Sequence, residues 1–160
     1  MNSLQRIKRK IVTVNEFKIQ LDKRKKIAFT NGCFDMIHRG HIEYLAQASD
    51  YGDIFVIGLN TDASIHRLKG KSRPITDEKS RSMVLAALSF VDYVIFFDED
   101  TPYSLIQQIQ PDVLIKGSDY TIDTIVGADI VKAKGGQIIT IDLIAGYSTS
   151  AIEKKIKESS

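Results

Sequence analysis

From Lys26 onward, apolar runs of strand length alternate with segments of helical periodicity, and this alternation leaves few folds open to the chain. KIAFTN, DIFVIGLN, DYVIFF, DVLIK and QIITID read as strands. HIEYLAQASDYG, DEKSRSMVLAALSFV, TPYSLIQQIQ and TIVGADIVKAKGG read as the helices around them, with STSAIEKKIKES as a last helix. Parallel neighbours need crossover connections, and here the crossovers are helices. The sequence therefore predicts an α/β, Rossmann-like three-layer sandwich with a five-stranded parallel sheet. Breakers stand where that fold needs them: Gly52 after a helix, Pro102 in a helix's first turn, Pro111 just before a strand, and Gly135-Gly136 closing the penultimate helix. Ahead of the sheet, Val14, Phe17 and Leu21 recur at helical spacing and predict one amphipathic helix that ends in a charged turn. The expected organisation is an N-terminal helical extension over residues 1–26 and a single domain over 27–160.

Length and composition agree with one core: 160 residues with 43% hydrophobic and 26% charged content. A net charge of +2 gives no whole-molecule attraction to nucleic acid or membrane, so any anion site must be local. The single cysteine, Cys33, excludes an internal disulfide and a cysteine cluster for zinc, and fits a reducing compartment. The basic start MNSLQRIKRKIV lacks the apolar stretch of a signal peptide, and no run approaches the roughly 20 apolar residues of a membrane span. A soluble cytoplasmic protein is expected.

Ligands of open α/β sheets bind at the carboxyl ends of strands, where the chain order reverses. The first strand exits into TNGCFDMIHRGHIEYL, where Gly32 permits a tight backbone path and His38 and His41 stand three residues apart. If the helix begins near His38, both imidazoles share its first turn beside backbone N–H groups that favour anions, a geometry suited to polyphosphate. A zinc site on this pair would need Asp35, Asp62 or Asp119 to converge on it. The chain has neither a G-x-x-x-x-G-K-[ST] loop nor a G-x-G-x-x-G after a strand, which argues against a P-loop kinase and a dinucleotide oxidoreductase.

Other candidates sit at the same end of the sheet. KGKSRP places Lys69, Lys71 and Arg73 on a loop after the second strand, either as a solvated loop or as cations that neutralise donor and acceptor phosphates. Lys116 is the charged residue ending an apolar run, and Gly117 after it allows close approach of a ligand. Of Ser148, Thr149 and Ser150 at the start of the last helix, one hydroxyl suffices for a cap. Asn31, Phe34 and Asp35 line the first loop and, with Gly32, are candidates for the nucleotide side of the site, with Phe34 read as packing and Asp35 as ordering the loop. Asn60 and Asp62, after the second strand, are either turn formers or contacts for acceptor hydroxyls. Arg81 with Glu78 makes either an exposed i,i+3 pair or part of the site.

NGCFDMIHRGH resembles the HxGH motif, in its context G-x-F-D-x-x-H-x-G-H, of the nucleotidylyltransferase superfamily related to class I aminoacyl-tRNA synthetases. The likeness runs from about Asn31 to the last helix through LNTDASIHRLKGKSRPITDEKSR, DVLIKGSDY and GYSTSAIEKKI. These segments are similar to the adenylyltransferases that make ADP-heptose from D-glycero-β-D-manno-heptose 1-phosphate, found elsewhere fused to a sugar kinase. Tyr147 departs from that pattern, which has a small residue or cysteine there. The resemblance implies a nucleotidylyltransferase domain over 27–160 that binds ATP and a sugar phosphate, and a homodimer. It implies Arg81, Lys116 and Gly117 near the nucleotide, Asp119 in the pocket, and the Ser148–Ser150 hydroxyls on triphosphate oxygens.

The expected reaction is in-line attack of the acceptor's phosphate oxygen on the α-phosphorus of ATP, with pyrophosphate leaving. His38 and His41 would act on the phosphates around the scissile bond, with Lys69 and Arg73 drawing in acceptor or leaving phosphates. Mg²⁺ is the expected companion, since it prefers oxygen ligands and is usually held by substrate phosphates. Two alternatives remain open: a cytidylyltransferase acting on glycerol 3-phosphate or another polyol phosphate, and a non-catalytic nucleotide-binding module.

Overall fold

A computed structural model describes residues 1–159 and sets the five strands in the order β3-β2-β1-β4-β5, every neighbouring pair parallel. The strands are β1 (Ile27–Gly32), β2 (Ile54–Asn60), β3 (Tyr93–Phe97), β4 (Val113–Gly117) and β5 (Gln137–Ile141). The helices are α1 (Ser3–Lys8), α2 (Val14–Gln20), α3 (Arg39–Ser49), α4 (Asp62–Lys69), α5 (Glu78–Ala87), α6 (Tyr103–Ile109), α7 (Ala128–Ala133) and α8 (Thr149–Glu158), with a 3-10 turn over Ile122–Thr124. This is the Rossmann-like sandwich expected from the alternation, and no helix among the described residues is long and apolar enough to cross a membrane.

Side chains alternate along each strand, so each strand divides its residues between two cores. Phe29, Val56, Ile95 and Leu114 pack with Phe17 of α2, Leu105 and Ile106 of α6 and Val131 of α7. On the opposite face Ala28, Ile57, Val94 and Ile115 pack with Leu45 of α3 and Leu85 of α5. The N-terminal residues share both layers: Phe17 is fully buried, and Ile11 bridges in parallel to Val94 at the outer edge of β3.

Two helices were not foreseen. Asn2 and Gln5 form a reciprocal capping box that starts α1 inside the basic segment. Thr61 caps α4 by accepting from the Ser64 amide, which turns a stretch read as loop into helix. Lys69 is therefore the last residue of a helix, and the loop begins only at Gly70.

Candidate active site

From β1 the chain moves to β2 and β3 on one side, and β4 and β5 lie on the other, so the switch point falls between β1 and β4. The loops leaving those two strands diverge around a cleft of about 820 Å³, a volume that suits a nucleotide with a small acceptor. Asn31 and Gly32 at the end of β1, Asn60 at the end of β2, and Lys116 and Gly117 at the end of β4 all line it.

The two histidines form the start of α3. His38 is its N-cap, and its Nδ1 accepts from the Gly40 amide at 3.1 Å, while Nδ1 of His41 accepts from the His38 amide at 3.3 Å. The rings stack with centroids 3.9 Å apart and planes 31° from parallel. An imidazole that accepts at Nδ1 carries its hydrogen on Nε2, so both rings are held neutral in the Nε2–H tautomer. Burial first, and then the proximity of His38 and Lys69, push His41 down to about 4, and burial lowers His38 as well. His41 lines the cleft with Nε2–H as its available donor; His38, expected there too, stands outside the lining and acts on His41 through the cap and the stack. Gly40 is required by close approach, since a Cβ there would lie 3.0 Å from His38 Cε1 and 3.1 Å from Tyr147 Cβ.

Asp35 ties three site-forming segments together. Its carboxylate accepts from the amides of Ile75 at 2.7 Å and Thr76 at 3.0 Å, from the Thr76 hydroxyl at 2.8 Å and from Arg73 at 3.4 Å. Its backbone carbonyl accepts from the Thr149 hydroxyl at 2.7 Å. Burial alone would raise the Asp35 carboxyl, but the Ile75 and Thr76 donors and Arg73 outweigh it and leave the group below its ordinary value. Asp35 thus orders the loop, and Phe34, packed edge-on at 5.7 Å from the His41 ring, is a packing residue as read from the sequence. Phe34 and Met36 hold φ of 47° and 55°, a left-handed backbone that such side chains rarely adopt, so these ties impose a local cost on the loop. Arg73 also pairs with Glu153 of α8.

Several expected contacts are reassigned. Arg81 does not reach the cleft: it is 2% exposed and donates to Thr76 O at 3.0 Å, Cys33 O at 2.7 Å and Asp62 Oδ1 at 2.7 Å. Its guanidinium therefore braces the loop after β1 from behind, and Asp62, expected to meet acceptor hydroxyls, is its partner. Lys71 is exposed outside the cleft lining, whereas Lys69 and Arg73 line it. Ser148 is the cap of α8, accepting from the Ala151 amide at 3.0 Å, so of the three hydroxyls only Thr149 and Ser150 line the cleft.

Across the cleft, Lys116 is buried with its ammonium 5.3 Å from the Tyr120 ring centroid. Burial lowers it to about 8, against the opposing pull of Asp119. A Cβ on Gly117 would meet Asp119 Oδ1 at 2.6 Å, which is why a glycine follows Lys116. Tyr44, missed from sequence although it follows His41 by one helical turn, bonds to Thr30 Oγ1 at 2.7 Å and to Ile115 O at 3.3 Å. Asp35, Asp62 and Asp119 do not converge with the histidines, and among the described residues no group of three or more His, Cys, Asp or Glu could hold a metal ion.

Residues 29–155 match the cytidylyltransferase-like family. The chain is 53% identical over 135 residues to bifunctional protein HldE of Citrifermentans bemidjiense, covering 84% of this chain and 28% of that protein. It is 54% identical over 134 residues to bifunctional protein HldE of Campylobacter curvus, again covering 84% and 28%. The chain thus spans under a third of the length of these curated relatives. A lipopolysaccharide core biosynthesis protein from Thermoplasma volcanium superposes with a TM-score of 0.62 at 29% identity, covering 75% of this chain and 98% of that one. Pantoate-beta-alanine ligase from Francisella tularensis gives 0.61 at 17% identity, covering 92% and 76%, a likeness of fold alone.

Proposed function

The chain belongs to the cytidylyltransferase-like family, and from that premise we propose that it transfers AMP from ATP to D-glycero-β-D-manno-heptose 1-phosphate, giving ADP-heptose and pyrophosphate. The observation that carries the chemistry is the histidine pair fixed at the switch point by two reciprocal amide caps. The choice of acceptor rests on more than half identity to the bifunctional HldE proteins through the segments that resemble heptose 1-phosphate adenylyltransferases.

A phosphate monoester is already a competent nucleophile near neutral pH, so the protein has to hold two anions together and stabilise charge as the α-phosphorus becomes five-coordinate. His41 would donate from Nε2 to a phosphate oxygen at the scissile bond, a preorganised dipole in a partly desolvated site. Lys69 and Arg73, on the same wall, would offset the charge of the acceptor phosphate and the departing pyrophosphate. Ser150, on the cleft lining, would donate to a triphosphate oxygen, while the Thr149 hydroxyl hydrogen stays on the Asp35 carbonyl. Mg²⁺ would arrive on the nucleotide's phosphates and neutralise part of their charge, since the cleft side chains form no carboxylate cage. A homodimer working in the cytoplasm completes the proposal.

Pyrophosphate release with Mg²⁺, crossing ATP and CTP against the β and α heptose 1-phosphates and glycerol 3-phosphate, tests it. The expected result is release with ATP and a heptose 1-phosphate only. Release with CTP and glycerol 3-phosphate would keep the chemistry and replace the substrates; silence throughout would favour a binding module.

A further inference from the structure

On the sheet face turned away from α3, side chains near the ends of four adjacent strands form one stepped row. Phe29 and Leu114 pair across β1 and β4 and belong to the core under α6 and α7, so Asn31 and Lys116, two residues further along each strand, point the same way. Val56 shares that core and places Asn60 on the same face, where Asn60 pairs in register with Phe97 of β3. Phe97, Asn60, Asn31 and Lys116 all line the cleft. Asn31 is in register with Gly58, two residues short of Asn60, so with strands about 4.8 Å apart and about 3.3 Å per residue the three polar members run diagonally over roughly 12 Å, comparable to a sugar phosphate.

Asn60 is held by its neighbours, donating from Nδ2 to Ser64 Oγ at 3.0 Å, while Ser64 in turn donates to Glu99 O at 3.2 Å. Asn31 differs: its Oδ1 is buried and has no hydrogen-bond partner among the described residues. A buried carboxamide oxygen without a donor costs stability that an apolar side chain of similar size would not, and such groups persist where a ligand completes them. With Oδ1 in this position, a phosphate oxygen, which can only accept, does not complete it. A hydroxyl does, and it satisfies the carboxamide in either of its two orientations.

We infer that Asn31 reads a hydroxyl of the acceptor sugar, with Asn60 beside it and Lys116 at the end of the row meeting the acceptor's phosphate, on the sheet face opposite the histidines. The inference rests on the adenylyltransferase reading and assigns the acceptor its wall of the cleft. It moves Asn31 and Lys116 from the nucleotide to the acceptor.

The test compares wild type with Asn31→Leu and Asn31→Ala in three measurements: melting of the ligand-free protein, KM for each substrate, and calorimetric binding of heptose 1-phosphate and its single-deoxy analogues without ATP. Asn31→Leu should melt no lower than wild type, raise KM for the acceptor by about tenfold and leave KM for ATP within about twofold. One deoxy analogue should bind wild type about tenfold more weakly than the parent sugar and bind both variants no differently from it. A raised KM for ATP with an unchanged acceptor KM would return Asn31 to the nucleotide. Lower melting of both variants with unchanged acceptor binding would make it a structural residue; either result overturns the inference. A wild type silent toward every acceptor sinks the adenylyltransferase reading instead, and the binding measurements then still decide whether Asn31 contacts a sugar phosphate.

Discussion

Replacing Asp35 by asparagine keeps the shape of the side chain and removes its charge at the point where the loop after β1, the 73–76 segment and the start of α8 meet. An amide nitrogen in place of Oδ2 would face the Ile75 amide, now 2.7 Å away, and the Arg73 guanidinium at 3.4 Å, setting donors against donors. The remaining oxygen would keep the Thr76 amide and hydroxyl, but as neutral bonds of roughly half the strength. Bonds to a charged group contribute about 1.5–3 kcal/mol each, so the substitution should cost about 3–5 kcal/mol. In a domain of this size that is a fall in melting temperature of roughly 10 °C. Because the 73–76 segment carries Arg73, pyrophosphate release should fall by about 100-fold even where the protein remains folded. The carboxyl ionises below its ordinary 3.8, so its stabilisation is complete above about pH 4 and is lost as pH falls through the folded value. Thermal unfolding followed by circular dichroism at neutral pH and near pH 3, with pyrophosphate release at 25 °C, measures all of this. A variant that melts within about 2 °C of wild type with normal turnover would refute the claim that Asp35 holds these segments together.

His41→Ala should lower pyrophosphate release by about 10²–10³-fold with an unchanged circular dichroism spectrum; near-normal release would remove His41 from the chemistry. Nitrogen-15 NMR should find both imidazoles as Nε2–H tautomers, with His41 protonating only near about 4 in the ligand-free protein. Since that lies below its ordinary 6.5, the stability His41 contributes is present above 6.5 and is lost as pH falls toward about 4. Arg81→Lys should behave as a severe change, costing about 3 kcal/mol in urea denaturation, because one ammonium cannot serve Thr76, Cys33 and Asp62 at once; a loss under about 0.5 kcal/mol would count against the brace.

The sheet was legible because its strands are buried on both faces and read as unbroken apolar runs, such as VIGL within β2. Much of the candidate site was legible for a related reason: cleft-lining residues sit where those runs stop, as Asn31 and Lys116 do. What escaped were features set by single local contacts. Helix α4 has only two buried residues, Ser64 and Ile65, too few to mark a periodic face, so its capping threonine looked like a turn. Arg81 carries the same charge whether it meets a phosphate or a carbonyl, and only the fold shows that Cys33 and Thr76 offer theirs. The division between His41 in the cleft and His38 behind it likewise depends on a cap whose donors are backbone amides, which no side-chain pattern records.

The bridge between Ile11 and Val94 bears on whether the sheet can be extended by another chain. β3 is an outer strand of the sheet, and its free side would offer unpaired N–H and C=O groups to any other chain. Residues 10–12 occupy that side, with the Val94 amide donating to Lys10 O at 2.8 Å and the Val12 amide donating to Val94 O at 3.1 Å. The family likeness begins only at residue 29, yet this upstream segment works as a guard strip for the sheet and carries Phe17 into the core. A chain cut where the likeness starts would expose both an apolar socket and an open ladder, and would be expected to associate edge to edge before it could be assayed.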